Sequence, residues 1–231
     1  MLIKPAEIKR NPRLLLQKPW LIAMVPYLFF QATKKRWKSD VQSIYLTETI
    51  IKNHPLMHMT PDSGFYVRQI LNIDEAINLI NKRITETAID ISYKKEVVRR
   101  LEKADYIVVL FQNEIPLSFL FVSENEIDLS QVGCNEQIPD KCFAVYDVYT
   151  FNQFRAKGYY SRLLSETMRF MGKKGYLRFW LWIMQHNQVS VLVHEKLKIN
   201  RIISIYSECF RYGFRRFFRK DVEMLLSDLI R

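Results

Sequence analysis

From residue 65 onward the chain alternates runs of strand length with runs of helical spacing. That order restricts the fold to a mixed α/β domain. Phe65–Leu71 reads as a strand. Asn72 or Asp74 caps a helix running to about Thr85, with Ile77, Leu79 and Ile80 apolar. A second helix covers about 91–103, with Tyr93, Val97 and Leu101 four residues apart. Two apolar runs, 105–111 and 115–122, flank a turn at Asn113-Glu114 and read as a hairpin. Residues 123–141 are polar and acidic and read as a loop. Cys142–Phe151 is the next strand. The turn 152–158 then leads into a helix of about 159–171, with Gly172 and Gly175 to end it. Leu177–Met184 is a strongly apolar strand, and Asn187 opens a short helix to about Leu197. Residues 202–218 suit two strands meeting near Tyr212-Gly213, and a last short helix spans about 221–229.

Residues 53–64 carry two prolines and end in Asp62-Ser63-Gly64, so they read as a linker with a boundary near residue 64. The expected organisation is an extension over 1–64 and one domain over 65–231. His54 and His58, in the linker, read as surface residues, because no carboxylate or cysteine stands at metal-ligand spacing beside them.

The net charge of +11 is unevenly placed. Residues 1–40 hold nine Lys/Arg against Glu7 and Asp40, a balance of +7; residues 201–220 hold six against Glu208, a balance of +5. Basic ends suit an anionic lipid surface, nucleic acid, an acidic carrier protein or plain solubility. No nucleic-acid motif accompanies them, so nucleic acid ranks last. The mixed cluster Arg211–Lys220 reads as an alternating strand with a solvated basic face. The apolar run 20–30 is shorter than the roughly 20 residues that span a bilayer, and Pro26 interrupts it. It reads as a packed helix or, with its flanking lysines, as an interfacial one. Three cysteines with no CxxC pair argue against a disulfide framework and against a metal site, and fit a cytoplasmic protein.

The turn Arg155-Ala156-Lys157-Gly158 is the chemical focus. The first N–H groups of a helix lack internal partners, and the helix dipole adds partial positive charge there. A pyrophosphate fits such a place. Gly158 lets a ligand approach the backbone, Arg155 and Lys157 add charge-assisted contacts, and Ser161 offers a hydroxyl.

Residues 147–164 resemble the acetyl-CoA signature of the GNAT superfamily: a strand, Arg/Gln-x-x-Gly-x-Gly/Ala, then an amphipathic helix. Arg155 and Gly158 match it, while Tyr160 stands where Gly or Ala is usual. Leu177–Asn187 is similar to the family's next strand, which ends in a CoA-contacting Asn. The run from Asn187 to Leu197 follows the family's Asn-x-x-Ala-x-x-x-Tyr, with Ser190 at the small position and His194 at the Tyr position. The resemblance implies a mostly antiparallel central sheet flanked by helices, with an N-terminal extension. It also implies transfer of an acyl group, most simply acetyl, from acyl-CoA to a small-molecule primary amine. Val148, Tyr149, Thr150, Arg155, Ala156, Lys157, Gly158, Tyr159, Tyr160, Ser161 and Asn187 would hold the acyl-CoA. His194, as an imidazolium, would be the general acid.

Asp147 is the candidate general base; it also suits an ammonium ligand or a structural cap. Strand alternation sets Tyr146 on the opposite face from Asp147. Two other readings remain open: dependence on acyl carrier protein or a peripheral membrane surface, served by the basic ends, and an acyl-CoA-binding module without turnover.

Overall fold

In the computed structural model, residues 42–229 are described except 61, 63, 88, 91, 130–133, 200 and 212–213. The elements in chain order are β1 (Gln42–Ile50), β2 (Phe65–Ile70), α1 (Ile73–Thr87), α2 (Ser92–Glu102), β3 (Tyr106–Gln112), β4 (Ile115–Ser123), β5 (Glu126–Leu129), β6 (Cys134–Gln137), β7 (Cys142–Thr150), α3 (Tyr159–Lys173), β8 (Arg178–Met184), α4 (Gln188–Lys196), β9 (Arg201–Arg211) and β10 (Phe214–Leu225). Residues 42–207 with 219–231 form one compact unit, which carries everything that follows. Residues 208–218 fall in a second.

Strand β3 shows why the sheet is covered on both faces. Its side chains alternate between two apolar cores: Tyr106, Val108 and Leu110 enter one, and Ile107, Val109 and Phe111 the other. The first core is closed by Leu163, Leu164, Met168 and Met171 of α3 and Val191 of α4. The second is closed by Ala76, Leu79 and Ile80 of α1 and Val97 of α2. The result is three layers, helix pair on sheet on helix pair. Strand order is β10-β9-β1-β8-β7-β4-β3-β2. The β2–β3, β3–β4, β4–β7 and β1–β8 pairs are antiparallel, and β7–β8 is parallel.

The expected boundary near residue 64 is displaced. Residues 42–50 form a strand within the sheet, paired with β8 from Ile44↔Met184 to Ile50↔Arg178. The segment after β1 is packed rather than a free linker. His54 is buried, its Nδ1 accepting from the Leu56 N–H at 3.3 Å, so it is not a surface residue; His58 is exposed. The presumed loop 123–141 contains the β5–β6 hairpin, whose Ile127 and Leu129 are buried. The expected helix at 221–229 is the end of β10 followed by one 3-10 turn. The basic segment 1–40, the apolar run 20–30, the Cys209 side chain and the 212–213 turn lie outside the described residues. No helix among the described residues is long and apolar enough to cross a membrane.

Candidate active site

The site begins where β7 leaves β8. The two strands pair from Cys142↔Arg178 to Val145↔Leu181 and no further. Beyond that, residues 146–150 and 182–184 diverge and line a cleft. The outer edge of β8 stays paired with β1, and that of β7 with β4. The inner edge of β7 therefore presents backbone N–H and C=O groups toward the opening.

A bulge in β7 starts the divergence. Phe121 pairs with Tyr146 and Phe119 with Tyr149, so three steps of β7 oppose two of β4. Asp147 takes φ +48° within it, a left-handed conformation that Asp tolerates better than most residues. The extra residue breaks the alternation expected from sequence. Tyr146 and Tyr149 pack in the core beneath α1 and α2, and Asp147 turns to the same side.

There Asp147 is clamped. Its Oδ1 accepts from Arg83 Nη1 at 2.7 Å, and its Oδ2 accepts from Arg100 Nη1 and from Tyr93 Oη, each at 2.5 Å. Burial alone would raise this carboxyl's pKa. The two guanidiniums overcome burial and hold it below the ordinary value. Both oxygens of the carboxylate are thus engaged by buried donors, so in place of the base role expected of Asp147 this geometry suits a positioning one: it pins the bulge to both helices.

The turn after β7 is built as anticipated. Gly158 is the N-cap of α3 at φ +76°, with no side-chain cap on the helix. No heavy atom lies within 4 Å of where its Cβ would stand, so the space before the helix is open. Ala156, at φ +60°, adds a second left-handed residue to the turn. The leading N–H groups of α3 thus have no intrahelical acceptor. Arg155 is exposed, donates from Nε to the Thr150 carbonyl at 3.1 Å and lies over the Tyr149 ring; Lys157 lies over Phe154. Tyr159 packs back between Phe65 and Phe154 and offers the site only its backbone. Ser161 follows in the same first turn. Asn187 lines the cleft, but its Oδ1 caps α4 by accepting from the Ser190 N–H at 3.1 Å.

The two residues that depart from the family signature touch each other. Tyr160 Oη lies 2.5 Å from His194 Nε2, and both line the cleft. His194 Nδ1 is 2.6 Å from the Ser190 carbonyl, which can only accept. Nδ1 therefore carries the hydrogen, and Nε2 accepts from the Tyr160 hydroxyl. Burial pushes the His194 pKa down to about 4, against the opposing hydrogen bond to Ser190, and burial pushes the Tyr160 pKa up. At neutral pH the ring is uncharged, so the imidazolium acid expected from sequence is not present. This neutrality also links stability to pH. The unfolded chain takes up a proton near the ordinary value of 6.5 and the native state only near 4, so stability falls as pH drops through that window. His194 is expected to contribute a loss of about 3 kcal/mol. Urea titrations at pH 7 and pH 4 on wild type and His194→Gln measure it; equal slopes in the two proteins would contradict it.

One cleft thus gathers Asp147, Val148, Tyr149, Thr150, Arg155, Tyr160, Asn187 and His194. Ala156, Lys157, Gly158, Tyr159 and Ser161 stand in the turn and first helical turn beside it. Sequence reading missed Arg83 and Arg100, which look like solvated helix charges, and Trp182 and Met184, which line the opening from β8. Only their tertiary placement reveals them.

A family model described as the acetyltransferase (GNAT) family matches residues 85–198. Among solved structures, one similar chain is a GCN5-related glucosamine N-acetyltransferase region of a fungal multi-domain GH3 β-N-acetylglucosaminidase. It has a TM-score of 0.51 and 12% identity, over 84% of this chain and 22% of that one. A conserved Staphylococcus epidermidis protein of unknown function gives a TM-score of 0.49 and 11% identity over 74% of this chain; the present chain spans 61% of its length. The aminoglycoside N-acetyltransferase AAC(6′)-Iy, solved with CoA, gives 0.46 and 15% over 62% of this chain and 93% of that one. At 12% identity the likeness to the fungal region is one of fold alone. No curated protein matches the chain.

Proposed function

We propose that the chain is an acyltransferase of the acetyltransferase (GNAT) family, whose model matches residues 85–198, and that it moves an acyl group, most simply acetyl, from acyl-CoA to a primary amine by direct attack. The observation that carries this reading is the opening between β7 and β8 beside the uncapped start of α3. Such a place fits acyl-CoA in two ways. The turn 155–158, the N–H groups of Tyr159, Tyr160 and Ser161, and the charges of Arg155 and Lys157 suit a pyrophosphate. The free edge of Val148-Tyr149-Thr150, with Asn187 opposite, suits the amides of a pantetheine arm. A backbone N–H near the bulge supplies the donor that a developing oxyanion needs.

Tyr160 and His194 act together as a proton shuttle. As the C–N bond forms, the amine proton passes to the Tyr160 oxygen while the Tyr160 proton moves to His194 Nε2. Reversal then delivers the proton to sulfur as the C–S bond breaks. The Ser190 carbonyl, accepting from Nδ1–H, steadies the transient imidazolium. The net change is one proton moved from nitrogen to sulfur, with both residues restored.

The test is incubation with acetyl-CoA and a mixture of primary amines. The expected result is amine-dependent release of free CoA thiol, with an acetylated amine identified by mass spectrometry. Binding of acetyl-CoA without thiol release for any amine would instead favour a binding module without turnover.

A further inference from the structure

One arginine that lines the cleft uses only part of its hydrogen-bonding capacity. Arg83 reaches the cleft from α1. Its Nη1 donates to Asp147 Oδ1 at 2.7 Å and to Tyr93 Oη at 2.5 Å. Its Nε is buried without a partner among the described residues, and Nη2 has none there either. A guanidinium is planar, and Nε–H points alongside one N–H of Nη2. These two donors form the edge that matches both oxygens of a carboxylate. Among the described residues the ion pair of Arg83 is with Asp147, which it shares with Arg100, whereas Arg100 also pairs with Glu96.

A second buried donor without a partner, Trp182 Nε1, belongs to a residue that lines the same cleft from β8. Unpaired buried donors are costly, so this end of the cleft calls for oxygen on the ligand, and the charge of Arg83 calls for an anionic one. Neither nitrogen is open to solvent. A ligand therefore meets them by easing side chains apart, and the new hydrogen bonds offset that work. The place also suits delivery. Arg83 is bonded to Asp147, and the next residue, Val148, begins the free edge of β7. Tyr160 lines the same cleft. An amine one carbon from a carboxylate on Arg83 is thus kept beside that edge.

We infer that Arg83 determines specificity at the acceptor end and that the acceptor is an α-amino acid, its carboxylate on Nε and Nη2 of Arg83 and its amine turned toward the Val148 edge. The assignment rests on the acyl-transfer reading, because it names the amine that reading requires.

The test is calorimetric titration, with and without CoA, of leucine, phenylalanine and lysine. Each is set against the amine it becomes without its carboxylate: 3-methylbutylamine, 2-phenylethylamine and 1,5-diaminopentane. At least one amino acid is expected to bind about tenfold more tightly than its amine. Its carboxamide, which keeps the shape and loses the charge, should bind no better than the amine. Arg83→Lys keeps a cation opposite Asp147 and loses the two-nitrogen edge. It should weaken the amino acid about tenfold and leave the amine unchanged. No amino acid binding, no preference over amine and carboxamide, or a folded Arg83→Lys that keeps the preference would overturn the assignment. The wild-type comparison decides it even where Arg83→Lys fails to fold. Amino-acid preference without CoA binding leaves Arg83 its role and removes acyl transfer; CoA binding without that preference does the reverse.

Discussion

Asp147→Asn is expected to destabilise the protein by about 3–5 kcal/mol, because it removes one member of a buried charge cluster and leaves the others. Asp147 and Arg83 are only 14% and 12% exposed in their side chains, and Arg100 is 17% exposed. Without the carboxylate, two guanidiniums face each other in a place where water cannot fully screen them. The guanidiniums also lie over the rings of Tyr93, Tyr146 and Tyr149, so neither can easily swing out to solvent. A loss of that size is a large part of a typical domain stability of about 5–15 kcal/mol. Urea denaturation at pH 7 measures it. A change under about 1 kcal/mol, together with lost turnover and a shifted pH profile, would return Asp147 to the general-base role.

Tyr160→Phe is expected to lower kcat about 100-fold while leaving the KM for acetyl-CoA nearly unchanged, since proton transfer by one positioned group contributes that order of rate. The ring stays in its packing place, and only the hydroxyl that reaches His194 at 2.5 Å is lost. His194→Gln should give a similar loss, and the double variant little more, because the two residues act as one relay. Steady-state kinetics on the three variants decide this. Additive losses, or a raised KM with kcat intact, would assign Tyr160 to binding alone.

The parts of this architecture that were legible in the sequence are those written locally. The helix α3 is set by Leu164, Met168 and Met171 at near-helical spacing, all buried as that spacing requires. The turn at 155–158 was readable because a strand must reverse into that helix, and Gly158 does adopt a left-handed conformation there. Strand β1 was not readable as part of the domain. Its partner β8 lies far along the chain, as the Thr47 Oγ1–Leu181 carbonyl bond at 2.8 Å illustrates, and a prolyl stretch follows it. The bulge at Asp147 was hidden for a related reason. It arises from the mismatch of two strands, and nothing in the order Tyr146-Asp147-Val148-Tyr149 marks the extra residue. Alternation therefore placed Asp147 on the wrong face. His194 lines the cleft, but its charge depends on burial that a helical position alone does not state.

The central claim is that the opening beside α3 binds acyl-CoA, and the thermal melting of wild type and Gly158→Trp with acetyl-CoA and with free CoA tests it most directly. The indole would enter the open space before the helix, and the left-handed backbone costs a non-glycine residue about 1–2 kcal/mol, so the variant should fold with a modestly lower melting temperature. At a ligand concentration about 100 times Kd, wild type should gain about 2.7 kcal/mol of stability, seen as a clear rise in melting temperature. Gly158→Trp should show no such rise with either compound. A wild type indifferent to both, or a variant stabilised as much as wild type, would contradict acyl-CoA binding at this site.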